Sequence, residues 1–158
     1  MAESPFRIAD ITLDERTVLR RNADIEHERA VAIFDLLEEN SFALASGVPG
    51  PYHLGLGIEE NRLVLDVRDK AGQPLERVPL PLAPFRGIVR DYFLVCESYY
   101  KSIRNASPSR IEAIDMGRRS LHDEGSELLR ERLADRVVID FNTARRLFTL
   151  LCVLHIRG

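Results

Sequence analysis

The sequence predicts an α+β domain in which an antiparallel sheet, made from an N-terminal strand and a central meander, is packed on one face by a helical bundle with a buried C-terminal helix. Three observations support this prediction. Apolar residues alternate with polar or small ones between residues 52 and 80, recur at three- and four-residue steps between residues 84 and 103, and leave almost no polar side in residues 147–156. Strands precede most of the helices, an order typical of α+β folds.

The chain is expected to form one domain over residues 1–158, because a chain of this length most simply makes a single unit. It can bury enough surface on folding to build a core without disulfide bonds. The sequence contains no internal repeat, no low-complexity tract and no segment with the composition of a linker between domains.

The predicted strands are short segments in which apolar residues alternate with polar residues or glycine. They lie at residues 7–13, 41–44, 52–58, 63–67, 74–80 and 137–139. Pro79 and Pro81 favour an edge position for the last strand of the meander, because proline cannot donate to a sheet ladder. Gly55 and Gly57 leave open space on one face of the meander, which favours a packed helix there, with a bound ligand as the alternative.

Two helices are predicted before residue 105. The first runs from Asp24, which can cap it, to about Glu39, and its apolar face is expected to contain Ala30, Ile33, Phe34 and Leu37. The second starts near Pro84, because proline is tolerated in the first helical turn. Its broad apolar face is expected to contain Phe85, Ile88, Val89, Tyr92, Phe93, Cys96, Tyr99, Tyr100 and Ile103.

The next predicted helix is capped by Ser107 and has Pro108 at its first position. Gly117 lies inside it and costs about 1 kcal/mol relative to alanine, so we expect a close approach of a neighbouring backbone there. Gly125 is expected to end this helix and Ser126 to begin another.

The last helix is predicted to be buried, because it is apolar on nearly all sides. Its large apolar residues are Leu147, Phe148, Leu150, Leu151, Val153, Leu154 and Ile156. Asn142 is expected to cap it, and Arg145, Arg146 and Arg157 are expected to mark its solvent-exposed ends.

Composition limits the class of protein. The net charge of −3 gives no general attraction to nucleic acid or to an anionic membrane. Cys96 and Cys152 both fall in apolar helical stretches, which favours free thiols in a reducing compartment over a disulfide. There is no secretion signal and no apolar run long enough to cross a membrane, so we expect a cytoplasmic protein without a transmembrane segment.

The candidate binding site is a group of charged residues on the helix after Pro108. Asp115, Arg118, Arg119 and His122 recur at helical spacing and so lie on one side. Two arginines can clamp an anion while His122, titrating near neutral pH, transfers a proton. Glu124, from the adjoining His-Asp-Glu run, completes the candidate set. The alternative is a solvated helix face with ordinary ion pairs.

No catalytic motif, phosphate loop, paired-cysteine zinc signature or calcium loop is present, so no catalytic residue is assigned and no cofactor or metal is expected. The runs at residues 26–28 and 122–124 contain metal-competent side chains, but adjacent residues on a helix point apart. His53 and His155 are expected to be structural. Tyr99 and Tyr100 can stack on bases, although aromatic packing fits the acidic chain better.

Several segments together resemble an uncharacterised alphaproteobacterial protein family with no assigned function. These are residues 26–33 (EHERAVAI), 38–44 (EENSFAL), 91–100 (DYFLVCESYY), 111–119 (IEAIDMGRR), 122–126 (HDEGS) and 144–150 (ARRLFTL). The resemblance spans nearly the whole chain and implies a small bacterial cytoplasmic protein. It implies no catalytic or ligand-binding residues.

Two classes of function remain open. The first, which the missing catalytic motifs favour, is a non-enzymatic regulatory or protein-interaction module whose partner is another cytoplasmic protein or a second copy. The second is a small enzyme or small-anion binder that uses the Asp115, Arg118, Arg119 and His122 face. A concave pocket at that face, joined to His27 or to Gly55 and Gly57, favours the second class, whereas a flat arginine surface favours the first.

Overall fold

The computed structural model describes residues 4–15 and 23–155, and its architecture is mixed α+β, which confirms the predicted class. The strands of this part of the chain are β1 (Ile8–Leu13), β2 (Phe42–Leu44), β3 (Tyr52–Glu59), β4 (Arg62–Arg68), β5 (Pro74–Pro81) and β6 (Val137–Ile139). The helices are α1 (Ala23–Glu38), α2 (Arg86–Asn105), α3 (Pro108–Leu133) and α4 (Phe141–His155), and a short 3-10 turn at Ala83–Phe85 leads into α2.

The larger sheet has the strand order β1-β3-β4-β5. The strands β3, β4 and β5 form the predicted antiparallel meander, with β5 at the edge. β1 differs from the prediction, because it pairs with β3 in parallel rather than antiparallel orientation. The chain passes through α1 and β2 between these two strands, and such a crossover returns the next strand in the same direction.

The two short strands β2 and β6 pair antiparallel in a separate small sheet, in which Phe42 lies opposite Ile139. A side-chain contact supports this junction, since the Ser41 amide donates to Thr143 Oγ1 at 2.9 Å. Asn40 connects the end of α1 to β1, because its side chain both accepts from the Ile8 amide (2.7 Å) and donates to the Ile8 carbonyl (2.9 Å).

The helix α4 lies at the centre of the core, as its composition predicts. Nine of its residues between Thr143 and Leu154 are buried. The expected residues Ile156 and Arg157 lie outside the described ranges. The cap is Asp140 and not Asn142, because Asp140 Oδ1 accepts from the Thr143 amide at 2.8 Å and so satisfies a free donor of the first turn.

The helix α3 is capped by Ser107, which confirms the prediction, but it continues through Gly125 and Ser126 without a break. Gly125 packs directly against the Phe148 ring, so close that no β-carbon fits between them. The glycine therefore marks a helix contact and not a helix end. Gly117 is the reverse case: the expected close approach is absent, because no described atom lies within 4 Å of the position that a β-carbon would take.

The apolar faces of α1 and α2 differ in part from the prediction. α1 buries Ala32 and Leu36, whereas Ala30, Phe34 and Leu37 are exposed. The two buried residues each lie one position before a predicted one, Ile33 and Leu37, and α1 makes its main packing contact with α4. Asp24 lies within the first turn of α1 and not before it.

In α2 the residues near its start enter the core, whereas Ile103 near its end is 50% exposed. The later part of α2 packs against α3 in a helical hairpin. The space above Gly55 and Gly57 is bordered by Thr12, Asp14 and Asp66 and not by the expected helix. No helix in the described part of the chain has the length and apolar character needed to cross a membrane.

Candidate functional site

The central segment of α3 brings four of the five predicted site residues together. Asp115 is the centre of this group, because its Oδ1 atom accepts from Arg118 Nη2 at 2.6 Å and from Nε at 3.1 Å, and its Oδ2 atom lies 2.7 Å from Arg119 Nη2. The hydrogen bonds from Arg118 are the main reason that the pKa of Asp115 is lowered. The local ion pairs that are expected for an ordinary solvated helix face are therefore present.

Arg118 also makes contacts outside its own helix. Its guanidinium lies over the Tyr99 ring of α2, 4.5 Å from the ring centroid, in a cation–π arrangement. Its Nη1 atom is 3.9 Å from Glu28 Oε1 of α1. The Arg118 side chain is only 22% exposed. These contacts hold its guanidinium in a fixed position between three helices.

His122 is packed into the helix interface. Its ring lies between Tyr92 and Phe148, with centroid distances of 5.4 and 5.2 Å. Its Nε2 atom is 2.8 Å from Thr149 Oγ1, and that hydroxyl donates to the Arg145 carbonyl at 3.2 Å. The Thr149 oxygen can therefore accept a hydrogen bond from a protonated His122 Nε2.

The expectation that His122 titrates near neutral pH is wrong. Burial lowers its pKa to about 4, and the nearby positive charges of Arg145, Arg118 and Arg146 act in the same direction. His122 is therefore neutral at physiological pH, and its ring serves in packing and hydrogen bonding.

Stability should depend on pH through His122. Its pKa is lower in the folded state than in the unfolded chain, so the stabilisation is complete above about pH 6.5 and is lost as the pH falls towards 4. Between about pH 7 and pH 4.5 the natural protein should lose about 2 kcal/mol more of its unfolding free energy than His122→Phe does. Urea unfolding of both proteins at several pH values measures this difference. Equal losses in the two proteins would show that His122 titrates normally in the fold.

Of the other two predicted residues, Arg119 lies at the margin of the group and Glu124 lies outside it. The Arg119 side chain is 62% exposed while it pairs with Asp115. Glu124 is exposed and lies nine positions after Asp115, a spacing that puts it on the opposite side of the helix. The structure therefore does not bring Glu124 into the group.

Two arginines of α4, which the sequence interpretation assigned to a solvent-exposed helix end, reach the same place. Arg118, Arg119 and His122 of α3 and Arg145, Arg146 and Thr149 of α4 line a cleft of about 200 Å³, which we call the arginine cleft. The signal was in the sequence: two adjacent arginines at the start of a helix that is otherwise buried require a counter-charge or a ligand.

Four arginines line the arginine cleft together with two carboxylates of α1, Glu28 and Asp35. Outside the lining, Asp115 pairs with both arginines of α3. Arg146 Nε is 3.6 Å from Asp35, and Arg145 Nε is 3.5 Å from Asp123. The Arg145 Nε atom is buried and forms no hydrogen bond within the described part of the chain. The cleft can thus offer guanidinium groups from two helices to one small anion, which is the chemistry of oxyanion recognition.

A second, larger cavity of about 860 Å³ lies beside the arginine cleft, between α1, α2 and α4. The two cavities share Glu28, Tyr92 and Thr149 as lining residues. Glu28 stands at this junction, where its carboxylate accepts from the Tyr100 hydroxyl at 3.2 Å. This hydrogen bond links Tyr100 of α2 to α1.

The remaining candidates give no further site. Among residues 4–15 and 23–155, no group of three or more histidine, cysteine, aspartate or glutamate side chains is arranged to hold a metal ion. His53 lies 3.7 Å from Asp10 on the neighbouring strand, and both are partly exposed. Tyr99 and Tyr100 form an edge contact with each other, 5.7 Å between centroids. Cys96 and Cys152 are free, as expected, and burial raises the pKa of both thiols.

Comparison with known proteins confirms the resemblance that the sequence segments indicate. The model of an uncharacterised protein family, UPF0262, matches residues 5–157. A UPF0262 protein of Paramagnetospirillum magneticum is 59% identical over 152 residues, which cover 96% of this chain and 97% of the relative. A UPF0262 protein of Rhizobium leguminosarum is 55% identical over 158 residues, the full length of both chains. No solved structure gives a significant match.

Proposed function

Because the chain belongs to the uncharacterised protein family UPF0262, we propose its function from its own geometry: it is a binding protein for a small oxyanion, a carboxylate or phosphate group, held in the arginine cleft. The observation that carries this proposal is the convergence of four arginines from α3 and α4 on one concave site. Guanidinium groups bind carboxylate and phosphate through paired, charge-assisted hydrogen bonds.

The shape of the surface favours anion binding over a flat arginine contact face. Arg118 is fixed by Asp115 and by the Tyr99 ring, so little side-chain freedom would be lost when it binds a ligand. The expected junction is not present, since neither His27 nor Gly55 and Gly57 line the cleft, which instead joins α1 through Glu28 and Asp35.

Binding is proposed here without catalysis. A general acid or base works best when its pKa lies near the operating pH. His122, the histidine that lines the arginine cleft, has a pKa of about 4 and is held by Thr149, which suits it to positioning. No reaction is therefore assigned to this site.

Removal of the α3 arginines should weaken anion binding. We expect Arg118→Ala/Arg119→Ala to bind inorganic phosphate, or acetate, at least about 10-fold more weakly than the natural protein, because each lost charge-assisted hydrogen bond contributes about 1.5–3 kcal/mol. Isothermal titration calorimetry with each anion measures the change. Arg110→Ala/Arg132→Ala removes the same charge from exposed positions of the same helix and should leave the affinity nearly unchanged.

A variant that is expected to bind phosphate more tightly completes this test. Glu28→Gln removes a carboxylate that lines the arginine cleft and lies near Arg118, so phosphate affinity should rise several-fold. The proposal is wrong if the natural protein binds neither anion, or if the arginine pair and the control pair behave alike. Circular dichroism of each variant separates loss of binding from loss of the fold.

A protein-interaction role is the second candidate, and exposed apolar side chains of α1 favour it. Val31, Phe34 and Leu37 are 42%, 64% and 37% exposed, and Val31 also lines the arginine cleft. Exposed apolar groups of this kind are common at sites of protein association. A regulatory role would act through such a contact.

If this surface binds a partner protein or a second copy, Phe34→Ser should abolish that association while leaving the fold intact. Val138→Ser is the matched control, because Val138 is 57% exposed but lies on β6. Light scattering measures self-association, and capture from cytosol measures binding of another protein. This role is excluded if the natural protein is a monomer and if Phe34→Ser captures the same proteins from cytosol as the natural protein does.

A further inference from the structure

The cavity beside the arginine cleft has the chemistry of an apolar compartment. Its inner wall is formed by Val89, Phe93 and Cys96 of α2 and Thr149, Cys152 and Val153 of α4, and we call it the apolar cavity. Val89, Cys152 and Val153 are at most 4% exposed, and Phe93 and Cys96 are partly buried. Methylene, methyl, aromatic and thiol groups dominate this wall, so it is suited to an uncharged, water-poor ligand group.

The charged residues of α2 that line the apolar cavity, unlike Glu28 of α1, are on the protein surface. Arg86, Arg90, Glu97 and Lys101 are all exposed. Lys101 Nζ pairs with Glu97 at 2.9 Å, and Arg90 Nε lies 3.4 Å from Asp91. Arg90, Glu97 and Lys101 thus have partners in their own helix, and exposed pairs of this kind interact weakly. The arginine cleft differs in one respect: the Arg145 Nε atom there is buried and has no hydrogen-bond partner in the described part of the chain, so an anionic head group can supply one.

The two compartments meet at Glu28, Tyr92 and Thr149, which line both. On the arginine side of this junction, Thr149 Oγ1 is 2.8 Å from His122 Nε2 and Glu28 is 3.9 Å from Arg118. On the apolar side, Cys152 and Val153 follow Thr149 in α4. The surface thus changes from cationic to apolar within one turn of helix.

We propose that the ligand is amphipathic: an anion with an alkyl or aromatic body, whose carboxylate or phosphate head lies in the arginine cleft and whose apolar body lies in the apolar cavity. This inference rests on the proposed oxyanion-binding function and specifies the class of ligand. The cavity volume of about 860 Å³ is within the range of sites that enclose small organic molecules. Charge complementarity fixes the orientation, because the head group is the part that requires the guanidinium groups.

The test compares pairs of probes that share a head group and differ in their apolar body. Acetate is compared with octanoate, and methyl phosphate with octyl phosphate, by calorimetry below the micelle concentration. The longer member should bind at least about 10-fold more tightly in the pair whose head group is recognised, because added methylene groups leave water. This comparison needs no substitution, so it does not depend on the folding of any variant.

Filling the apolar cavity should remove the gain from the longer chain. In Cys96→Phe the ratio between the long and short probe should fall to near one, while the short probe binds as before. Leu94→Phe adds the same ring to α2 at a position that is 57% exposed and should keep the ratio. A ratio near one in the natural protein, or an unchanged ratio in Cys96→Phe, overturns the proposal of an amphipathic ligand.

Failure of the proposed function gives a different pattern. If only this inference is wrong, acetate or methyl phosphate still binds and still depends on Arg118 and Arg119, without a gain from chain length. If oxyanion recognition is wrong, the short probes do not bind, and any binding of the long probes is unchanged in Arg118→Ala/Arg119→Ala. That second pattern overturns both proposals.

Discussion

Leu151→Ala should lower the free energy of unfolding by about 2–5 kcal/mol, one of the two largest effects expected for a single substitution in this protein. Leu151 is fully buried in α4, which packs against α1 and α3 and touches β3. Truncation removes favourable apolar burial and leaves a cavity that these neighbours can only partly refill.

Urea unfolding followed by circular dichroism measures this loss. Leu94→Ala is the control, since a leucine that is 57% exposed should cost well below 1 kcal/mol when truncated. A loss below about half a kcal/mol for Leu151→Ala would contradict the central position of α4.

Gly125→Ala should destabilise the protein by about 3 kcal/mol, because overpacking of a filled core forces its neighbours out of position. An added methyl group would overlap the Phe148 ring, which is fully buried and also contacts Tyr92 and His122. The ring cannot move aside without disturbing the residues that line the arginine cleft.

Gly117→Ala is the matched control in the same helix and should have the opposite sign. Gly117 has open space around it, so alanine should stabilise the protein by about 0.5–1 kcal/mol through its higher helix propensity. Adding Phe148→Leu to Gly125→Ala should recover part of the loss, which a double-mutant cycle measures. Similar effects of alanine at both glycines would show that Gly125 is not a packing contact.

The two glycines illustrate what a sequence pattern predicts and what it does not. The alternation in β3 and the apolar character of α4 report burial directly, because each element faces the core along its own length. Gly117 and Gly125 lie in one helix and have the same local preference. Gly125 alone must lack a side chain, because the Phe148 ring of α4 packs against it.

The site, too, was predictable only where it depends on the spacing of residues within one helix. The spacing of Asp115, Arg118 and Arg119 is local, and the structure contains the ion pairs that this spacing predicts. Arg145 and the low pKa of His122 depend on the packing of α4 against α3, which periodicity within one helix does not encode. The parallel pairing of β1 is likewise a property of the crossover and not of the strand itself.

The position of α4 in the sequence has a consequence for biosynthesis. The ribosome releases the sheet strands and α1 long before it releases α4, yet α4 supplies the surface against which α1 and α3 pack. The contact between Ser41 and Thr143, 102 positions apart, likewise forms only after the start of α4 has emerged. The nascent chain therefore exposes apolar surface of its earlier elements until residues near 155 are made, and in this interval it is most exposed to aggregation and to chaperones.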